Sequence, residues 1–261
     1  MLREMHIEPT ALDNGFVPVD IDVTPFDNSK SNKEGVSRTY KGFDGYAPIM
    51  AYIGTEGYLV NLELWIGKQH CQKETPDFLR ETIELCRQLT EKPLLIRLDS
   101  GNDASENIGI FMEESYKYNN VSFIIKRNPR QESKEEWLGS VRECCQTKQS
   151  LIFTMPTEKV CSITVKSRRT WMLKESRRGV LELTMIAYNI LRIIGQESLK
   201  KKDAPGRKKI HRRRIRTVIS NLMQFAGHLT EHAGRLVLSI GRSNRWRFTF
   251  KRLYDSFAFI T

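Results

Sequence analysis

Long apolar runs are missing from this sequence. The chain has 261 residues, 39% of them apolar, but no stretch approaches the roughly 18 consecutive apolar residues that a membrane-spanning helix needs. The first ten residues, MLREMHIEPT, also lack the apolar centre of a signal peptide. We therefore expect a cytoplasmic protein with no membrane partner, large enough for one large domain or two small ones.

Cysteine is scarce and irregularly placed. The chain has five cysteines, an odd number, and no C-x-x-C motif. This excludes a disulfide framework and a zinc ribbon as organising features and favours reduced thiols.

The first part of the chain has no positive charge in excess of its acids, whereas the second part is strongly basic. Residues 1–160 carry 19 Lys and Arg against 25 Asp and Glu, a net of −6, whereas residues 161–261 carry 23 against 6, a net of +17. Lys200–Arg216 alone holds ten basic residues and one acidic one. This asymmetry favours a polyanionic partner, most simply nucleic acid. The alternative is a solvated basic surface without a partner.

The acidic part has the pattern of an α/β domain. FVPVDIDVTPF (Phe16–Phe26) alternates, with Asp20 and Asp22 on one face and valine and isoleucine on the other. A predicted hairpin, YAPIMAYIG and YLVNLELWIG around TEG, follows it. The remaining predicted elements are a helix at Pro76–Thr90, a central strand at Pro93–Leu98 covered on both faces, a helix that ends near Tyr118 and a strand at Val121–Asn128. This order predicts a mixed sheet with flanking helices.

Local signals predict helix boundaries and the C-terminal elements. Thr75 is a predicted N-cap before Pro76, and Asp103 caps the next helix through its D-A-S-E motif. Val180–Ile194 reads as a strongly apolar, buried helix, and residues 215–240 as one or two amphipathic helices. A strand is predicted at 150–154.

Two aspartates fall where α/β sheets place their sites. Asp22 lies in the first strand and Asp99 follows PLLIRL in a later one, and open α/β sheets bind ligands at strand C-terminal ends. Two facing carboxylates repel unless a cation lies between them, and Mg²⁺ prefers such oxygen ligands. The alternative makes Asp22 a surface residue and Asp99 a turn former. Their spacing alone does not choose between the two interpretations.

Several motifs resemble the DDE transposases of bacterial insertion sequences. They are DIDVTPFDNS, KEGVSRTYKGFDGYAPIMAYIG and LLIRLDSGNDA in the first block, and LELTMIAYNILRIIGQ and RTVISNLMQFAGHLTEHAGRLVLSIGRSNRWRFTFKRL in the second. The two blocks cover about two-thirds of the chain. The combination of D-x-D-x-T, D-S-G and the A-Y-N-[IL]-L-R helix carries the resemblance, since no single piece is specific.

The resemblance implies an RNase-H-like mixed sheet with flanking helices, followed here by a basic helical C-terminal region. It also implies three carboxylates that bind two Mg²⁺ (or Mn²⁺) ions, cut double-stranded DNA at transposon ends and join it to a target. Asp22 matches the first acid and Asp99 the second, with Asp20 as a weaker alternative to Asp22. A nucleoid-associated bacterial protein is expected, and a homodimer is left open.

The third acid of the family, a glutamate, has no clear match. The family places it before the A-Y-N segment, after a long β-rich insertion, but here Tyr188 follows Asp99 by only 89 residues. Glu175 and Glu182 are the weak candidates. We therefore expect a truncated, internally deleted transposase with a core first half at 1–128, an irregular insertion remnant at 129–178 and a basic C-terminal region at 179–261.

Three functions remain open from the sequence. The first is a transposase whose strand cleavage and strand transfer are impaired. The second is a non-catalytic DNA-binding protein derived from one, and the third is an unrelated metal-dependent nuclease on the same fold.

The basic region supplies the predicted DNA contacts. Phosphate contacts give affinity without sequence choice, and the predicted residues are Lys208, Lys209, Arg212, Arg213, Arg214 and Arg216. Arg245–Phe248 adds aromatic rings for base stacking or for packing. HLTEH (His228–His232) fits H-x-x-E-H, a zinc pattern on a helix, but surface histidines are the favoured interpretation.

Overall fold

The computed structural model describes residues 1–126, 175–205, 210–224, 227–232, 235–241 and 243–258. Most of the predicted insertion remnant, including the strand predicted at 150–154, lies outside these ranges. Within them, no helix has the length and apolar character needed to cross a membrane.

Five strands form the central sheet. They are β1 (Val17–Val23), β5 (Ile49–Ile53), β6 (Tyr58–Glu63), β7 (Leu94–Leu98) and β8 (Val121–Ile125), in the spatial order β6-β5-β1-β7-β8. The β6, β5 and β1 strands pair antiparallel, whereas β1, β7 and β8 pair parallel. Counted along the chain, the order is 3-2-1-4-5. The fold is therefore α/β with a mixed sheet, as predicted, and is compatible with an RNase-H-like fold.

The alternation in β1 decides which side of the sheet carries the aspartates. Val17, Val19 and Ile21 are buried, whereas Asp20 and Asp22 are exposed, because successive side chains of a strand point to opposite faces. The central β7 strand also alternates, with Leu94, Ile96 and Leu98 buried and Leu95 and Arg97 half-buried. The prediction that β7 is covered on both faces is therefore wrong.

Two helices cover the apolar face. They are α1 (Thr75–Arg87) and α2 (Ser105–Tyr118), and they contribute Phe78, Leu79, Ile83, Ile110 and Phe111 to the core. Both cap predictions are wrong. Glu74 holds the α1 cap position and Thr75 donates to the carbonyl of Cys71 instead, while α2 begins after Ala104.

A small three-stranded sheet stands beside the end of β1. Its strands are β2 (Phe26–Asp27), β3 (Ser37–Arg38) and β4 (Asp44–Tyr46), with β4 in the middle. A Cβ on Gly45 would lie 1.8 Å from the carbonyl oxygen of Phe26, so only glycine permits β2 to approach β4 this closely. All three strands belong to the connection between the antiparallel neighbours β1 and β5.

The C-terminal region is not purely helical, contrary to the prediction. It contains α3 (Glu175–Glu197), the short α4 (Ile215–Val218) continued by a π-turn (Ile219–Met223), a hairpin of β9 (Gly227–His232) and β10 (Arg235–Ile240), and α5 (Arg247–Ala258). The predicted helices over 215–240 therefore stop at Met223. Alternation explains the hairpin, because Leu229, Leu236 and Leu238 share one of its faces.

Helix α3 is anchored to the sheet by polar side chains. Asn189 accepts from the backbone N–H of Leu59 and donates to its carbonyl, both at 2.8 Å. Tyr188 donates to the carbonyl of Gly57 at 3.0 Å, and Arg192 donates to the Tyr188 hydroxyl. The A-Y-N-x-x-R motif thus joins the helix to the exposed edge of β6.

Several apolar side chains of α3 are exposed. Val180, Leu183, Ile186 and Ile190 are between 43% and 66% exposed, whereas Asn189 and Ile193 are buried. The prediction of a fully buried apolar helix is therefore wrong. The inner contact of this helix combines the polar side chains of Asn189 and Arg192 with the buried Ile193.

Replacement of Asn189 by alanine is expected to lower the free energy of unfolding by about 2 kcal/mol or more. The change leaves a buried backbone donor and acceptor of Leu59 without partners, at about 1–3 kcal/mol for each lost partner. Urea denaturation measures the change. Thr184→Ala, on the exposed side of α3, is the control and should stay within about 0.5 kcal/mol. Equal stability of both variants would contradict the anchoring role of Asn189.

Candidate functional site

The two predicted acids lie at the ends of adjacent parallel strands. Asp20 of β1 pairs in register with Arg97 of β7. Two further residues along each strand lead to Asp22 and Asp99, so continuation of this register sets the two carboxylates side by side on one face. The site forms where open α/β sheets place their ligands.

Asp20 has a structural partner. The guanidinium of Arg97 holds its carboxylate in a bidentate pair, with Nε–Oδ1 at 2.6 Å and Nη2–Oδ2 at 2.7 Å. Two parallel N–H···O bonds fix both groups in one plane. Asp20, the alternative first acid, is thus engaged by Arg97, whereas Asp22 is bonded only by the hydroxyl of Thr24 at 3.3 Å among the described residues.

Asp99 shapes the turn that follows β7. Its Oδ1 accepts from the backbone N–H of Gly101 at 3.1 Å and from Asn102 Nδ2 at 2.9 Å. The turn-forming interpretation of Asp99 is therefore correct as far as Oδ1 is concerned. Within the described part of the chain, no hydrogen bond reaches Oδ2, which stays available on the same side chain.

A buried pair of asparagines supports this turn. Asn102 is 1% exposed, and its carbonyl accepts from Asn107 Nδ2 at 2.9 Å. The Oδ1 atoms of both asparagines are buried without a hydrogen-bond partner in the described structure. The sequence predicted no role for either residue, although Asn102 lies inside the motif LLIRLDSGNDA.

Three neighbouring side chains respond to the negative charge of the site. Burial, followed by the charges of Asp22 and Asp99, raises the pKa of Tyr40. Burial, then Tyr188 and Asp22, raises the pKa of Tyr52 to about 12, while burial and Asp99 raise that of Cys71. The Tyr40 hydroxyl therefore lies within the electrostatic reach of both carboxylates.

The donor set suits a hard cation but is incomplete. Two carboxylates are ligands that Mg²⁺ or Mn²⁺ accepts. Among the described residues, however, no three His, Cys, Asp or Glu side chains converge as a metal site. Glu182 is exposed on α3 and does not join Asp22 and Asp99 in such a group. Glu175 begins α3, and its side chain lies outside the described part.

The predicted DNA-contacting residues divide into exposed and internal ones. Arg212, Arg214 and Arg216 are exposed, whereas Lys208 and Lys209 lie outside the described residues. Arg213 is 7% exposed, donates to Ser198 Oγ at 2.6 Å and stacks over Trp246 at 4.9 Å. Arg213 and Trp246 therefore serve packing between the helices, and Arg213 leaves the phosphate-contacting set.

The H-x-x-E-H sequence lies on a strand. His228 and His232 are at opposite ends of β9, so about 13 Å of extended chain separates them. The helical geometry that brings histidines at i and i+4 together is absent from this segment. The helical zinc pair is therefore not formed on β9, and the side chain of His228 is exposed.

Comparisons with known proteins add little to this geometry. No family model matches the chain, and no curated protein matches its sequence. Among solved structures, it is similar to a piggyBac transposase in a synaptic complex with hairpin DNA, with 13% sequence identity and a TM-score of 0.34. The match covers 51% of this chain and 26% of that one, so the chain spans about a quarter of the transposase.

The reactivity of the Cys71 thiol tests the electrostatic effect of Asp99 on its surroundings. Since burial and Asp99 raise its pKa, its thiolate fraction at pH 8 is low and alkylation by iodoacetamide should be slow. Asp99→Asn removes a negative neighbour, so the pKa falls and the Cys71 peptide should be alkylated faster, as followed by mass spectrometry. Asp77→Asn, on the exposed side of α1, should leave the rate unchanged. An unchanged rate in Asp99→Asn would separate Cys71 from the site.

Proposed function

We propose that this chain is a DDE-type transposase of an insertion sequence in which strand cleavage and strand transfer are impaired. The observation that carries the proposal is the placement of Asp22 and Asp99 at the ends of adjacent parallel strands. The 3-2-1-4-5 order of the mixed sheet supports it. The lack of a third converging acid among the described residues supports the impairment.

The chemistry of the site follows from charge. A phosphodiester is anionic, so two bare carboxylates would repel it, and the site can act on DNA only with a cation between them. Mg²⁺ or Mn²⁺, when bound, would activate the attacking oxygen and stabilise the leaving one. Asp99 is oriented by its turn through Oδ1, and the Arg97–Asp20 pair removes one competing carboxylate. Double-stranded DNA is the proposed partner.

A non-catalytic DNA-binding protein of the same origin is the second candidate. The net charge of +17 over residues 161–261 favours it, as do the exposed Arg212, Arg214 and Arg216. Such a protein would occupy DNA or pair with an intact transposase. The two candidates differ only in whether the acids still bind metal and cut.

Metal binding tests the site directly. The free-Mn²⁺ signal in electron paramagnetic resonance should report binding that weakens about tenfold or more in Asp22→Asn and in Asp99→Asn, a loss of the size seen when the surroundings of a metal are disrupted. The control, Asp20→Asn with Arg97→Gln, removes the bidentate pair at unchanged net charge and should keep the affinity. Equal binding in all variants would remove Asp22 and Asp99 from any metal site.

Plasmid nicking separates the two candidates. With Mg²⁺ or Mn²⁺, the purified chain is expected to nick at or near background. Nicking that requires both the metal and Asp99 would show a third acid and contradict the impairment. Binding of Mn²⁺ through the two acids without nicking agrees with the proposal, and loss of both activities with DNA affinity intact favours the second candidate.

The exposed arginines are expected to set the salt dependence of DNA binding. Each phosphate contact contributes about 0.9 to the slope of log K against log salt. Arg212→Ala, Arg214→Ala and Arg216→Ala should each reduce the slope by about 1 in anisotropy titrations with duplex DNA. Arg213→Ala should instead lower the urea midpoint, because its stacking and hydrogen bond are internal. Arg3→Ala is the exposed control, and slopes equal to it would contradict the contacts.

A further inference from the structure

We propose that Tyr40 and Lys41 form a stacking platform for an unpaired nucleotide of a DNA strand entering the acidic site. The inference rests on the proposed function, since it names the form of DNA that the same site receives. It assigns a binding role to a turn that neither the charge pattern nor the acids pointed to.

The exposure of the Tyr40 ring is the first observation. Tyr40 lies in the turn between β3 and β4 and is 71% exposed. Tyr46, on the neighbouring β4 strand, is 7% exposed and donates to the carbonyl of Glu34 at 2.7 Å. One tyrosine of this sheet thus serves its packing, and the other presents its ring to solvent.

The turn that holds Tyr40 is ordered by hydrogen bonds. The backbone N–H and the hydroxyl of Thr39 both donate to the carbonyl of Phe43 at 2.8 Å. The backbone N–H of Gly42 donates to the carbonyl of Thr39 at 3.0 Å. Thr39 itself is 4% exposed. The backbone that carries Tyr40 is therefore ordered before any ligand arrives, which lowers the entropy lost on binding.

The position of the ring relates it to the acids. The Tyr40 hydroxyl donates a long bond, 3.4 Å, to the carbonyl of Val23, the residue after Asp22. The raised pKa of Tyr40 under the charges of Asp22 and Asp99 agrees with this placement. The exposed ring therefore lies beside the end of β1 that carries Asp22.

The adjacent cation completes the platform. Lys41 Nζ lies 5.8 Å from the centre of the Tyr40 ring. Arg38, at the end of β3, is instead paired with Asp44, with Nη1–Oδ1 at 3.8 Å. Aromatic rings beside cations bind single-stranded nucleic acid, because a base stacks on the ring while the phosphate meets the charge. A paired base has both faces covered by its neighbours, so the ring selects an unpaired nucleotide.

A duplex with a short single-stranded tail, carrying 2-aminopurine at its first unpaired position, tests the proposal with the full chain. Stacking on Tyr40 should quench the 2-aminopurine fluorescence. Tyr40→Phe should keep the quenching, whereas Tyr40→Ala should abolish it and weaken tail binding about 5- to 100-fold. Tyr116→Ala is the matched control, because Tyr116 is 82% exposed on α2 and should change nothing.

A second measurement avoids any dependence on how Tyr40→Ala folds. With 5-iodouracil in place of 2-aminopurine, irradiation of the wild-type complex should cross-link the tail to the peptide that contains Tyr40. Cross-linking elsewhere, together with unaltered quenching in Tyr40→Ala, would overturn the platform. If duplex binding remains salt-sensitive in that case, the proposed function stands without the platform, whereas a chain that binds no DNA overturns both.

Discussion

The parallel pairing of β1 with β7 is the contact on which the candidate site depends. A slip of one residue between these strands would turn the aspartates of one strand toward the core. The buried residues of the two strands, Val19 and Ile96 among them, hold this register, because one face of the sheet is covered. The exposed pair between Asp20 and Arg97 adds little stability, and its contribution is to separate Asp20 from Asp22.

Part of this arrangement could be predicted from the sequence because it is local. Alternation in β1 was sufficient to place Asp20 and Asp22 on the solvent side, and the apolar run before Asp99 was sufficient to end a strand there. The choice between Asp20 and Asp22 was beyond local patterns, because it depends on Arg97, 77 residues away. Helix propensity also failed after Met223, where a repeat of alternating leucines belonged to a hairpin.

Burial of charged residues was the other feature that sequence could not supply. The basic segment Lys200–Arg216 shows no difference between its arginines in sequence. In the structure, Arg213 contacts Ser198 and Trp246, whereas its neighbours are exposed to solvent. The apolar segment 180–194 shows the reverse case. Its Asn189 and Arg192 are buried, whereas Ile186 and Ile190 are exposed. Composition reports how much charge a segment has, and only packing reports which charges are free to meet a partner.

The side chain of Asn189 has a consequence for the solubility of the protein. The β6 strand ends the sheet, and an end strand offers unpaired backbone groups to which another chain can add. A carboxamide carries the same donor and acceptor as a peptide group, so Asn189 occupies the Leu59 position in the way a neighbouring strand would. The residue that anchors α3 thereby also shields this edge from intermolecular β-pairing, and detachment of the helix would open the chain to aggregation.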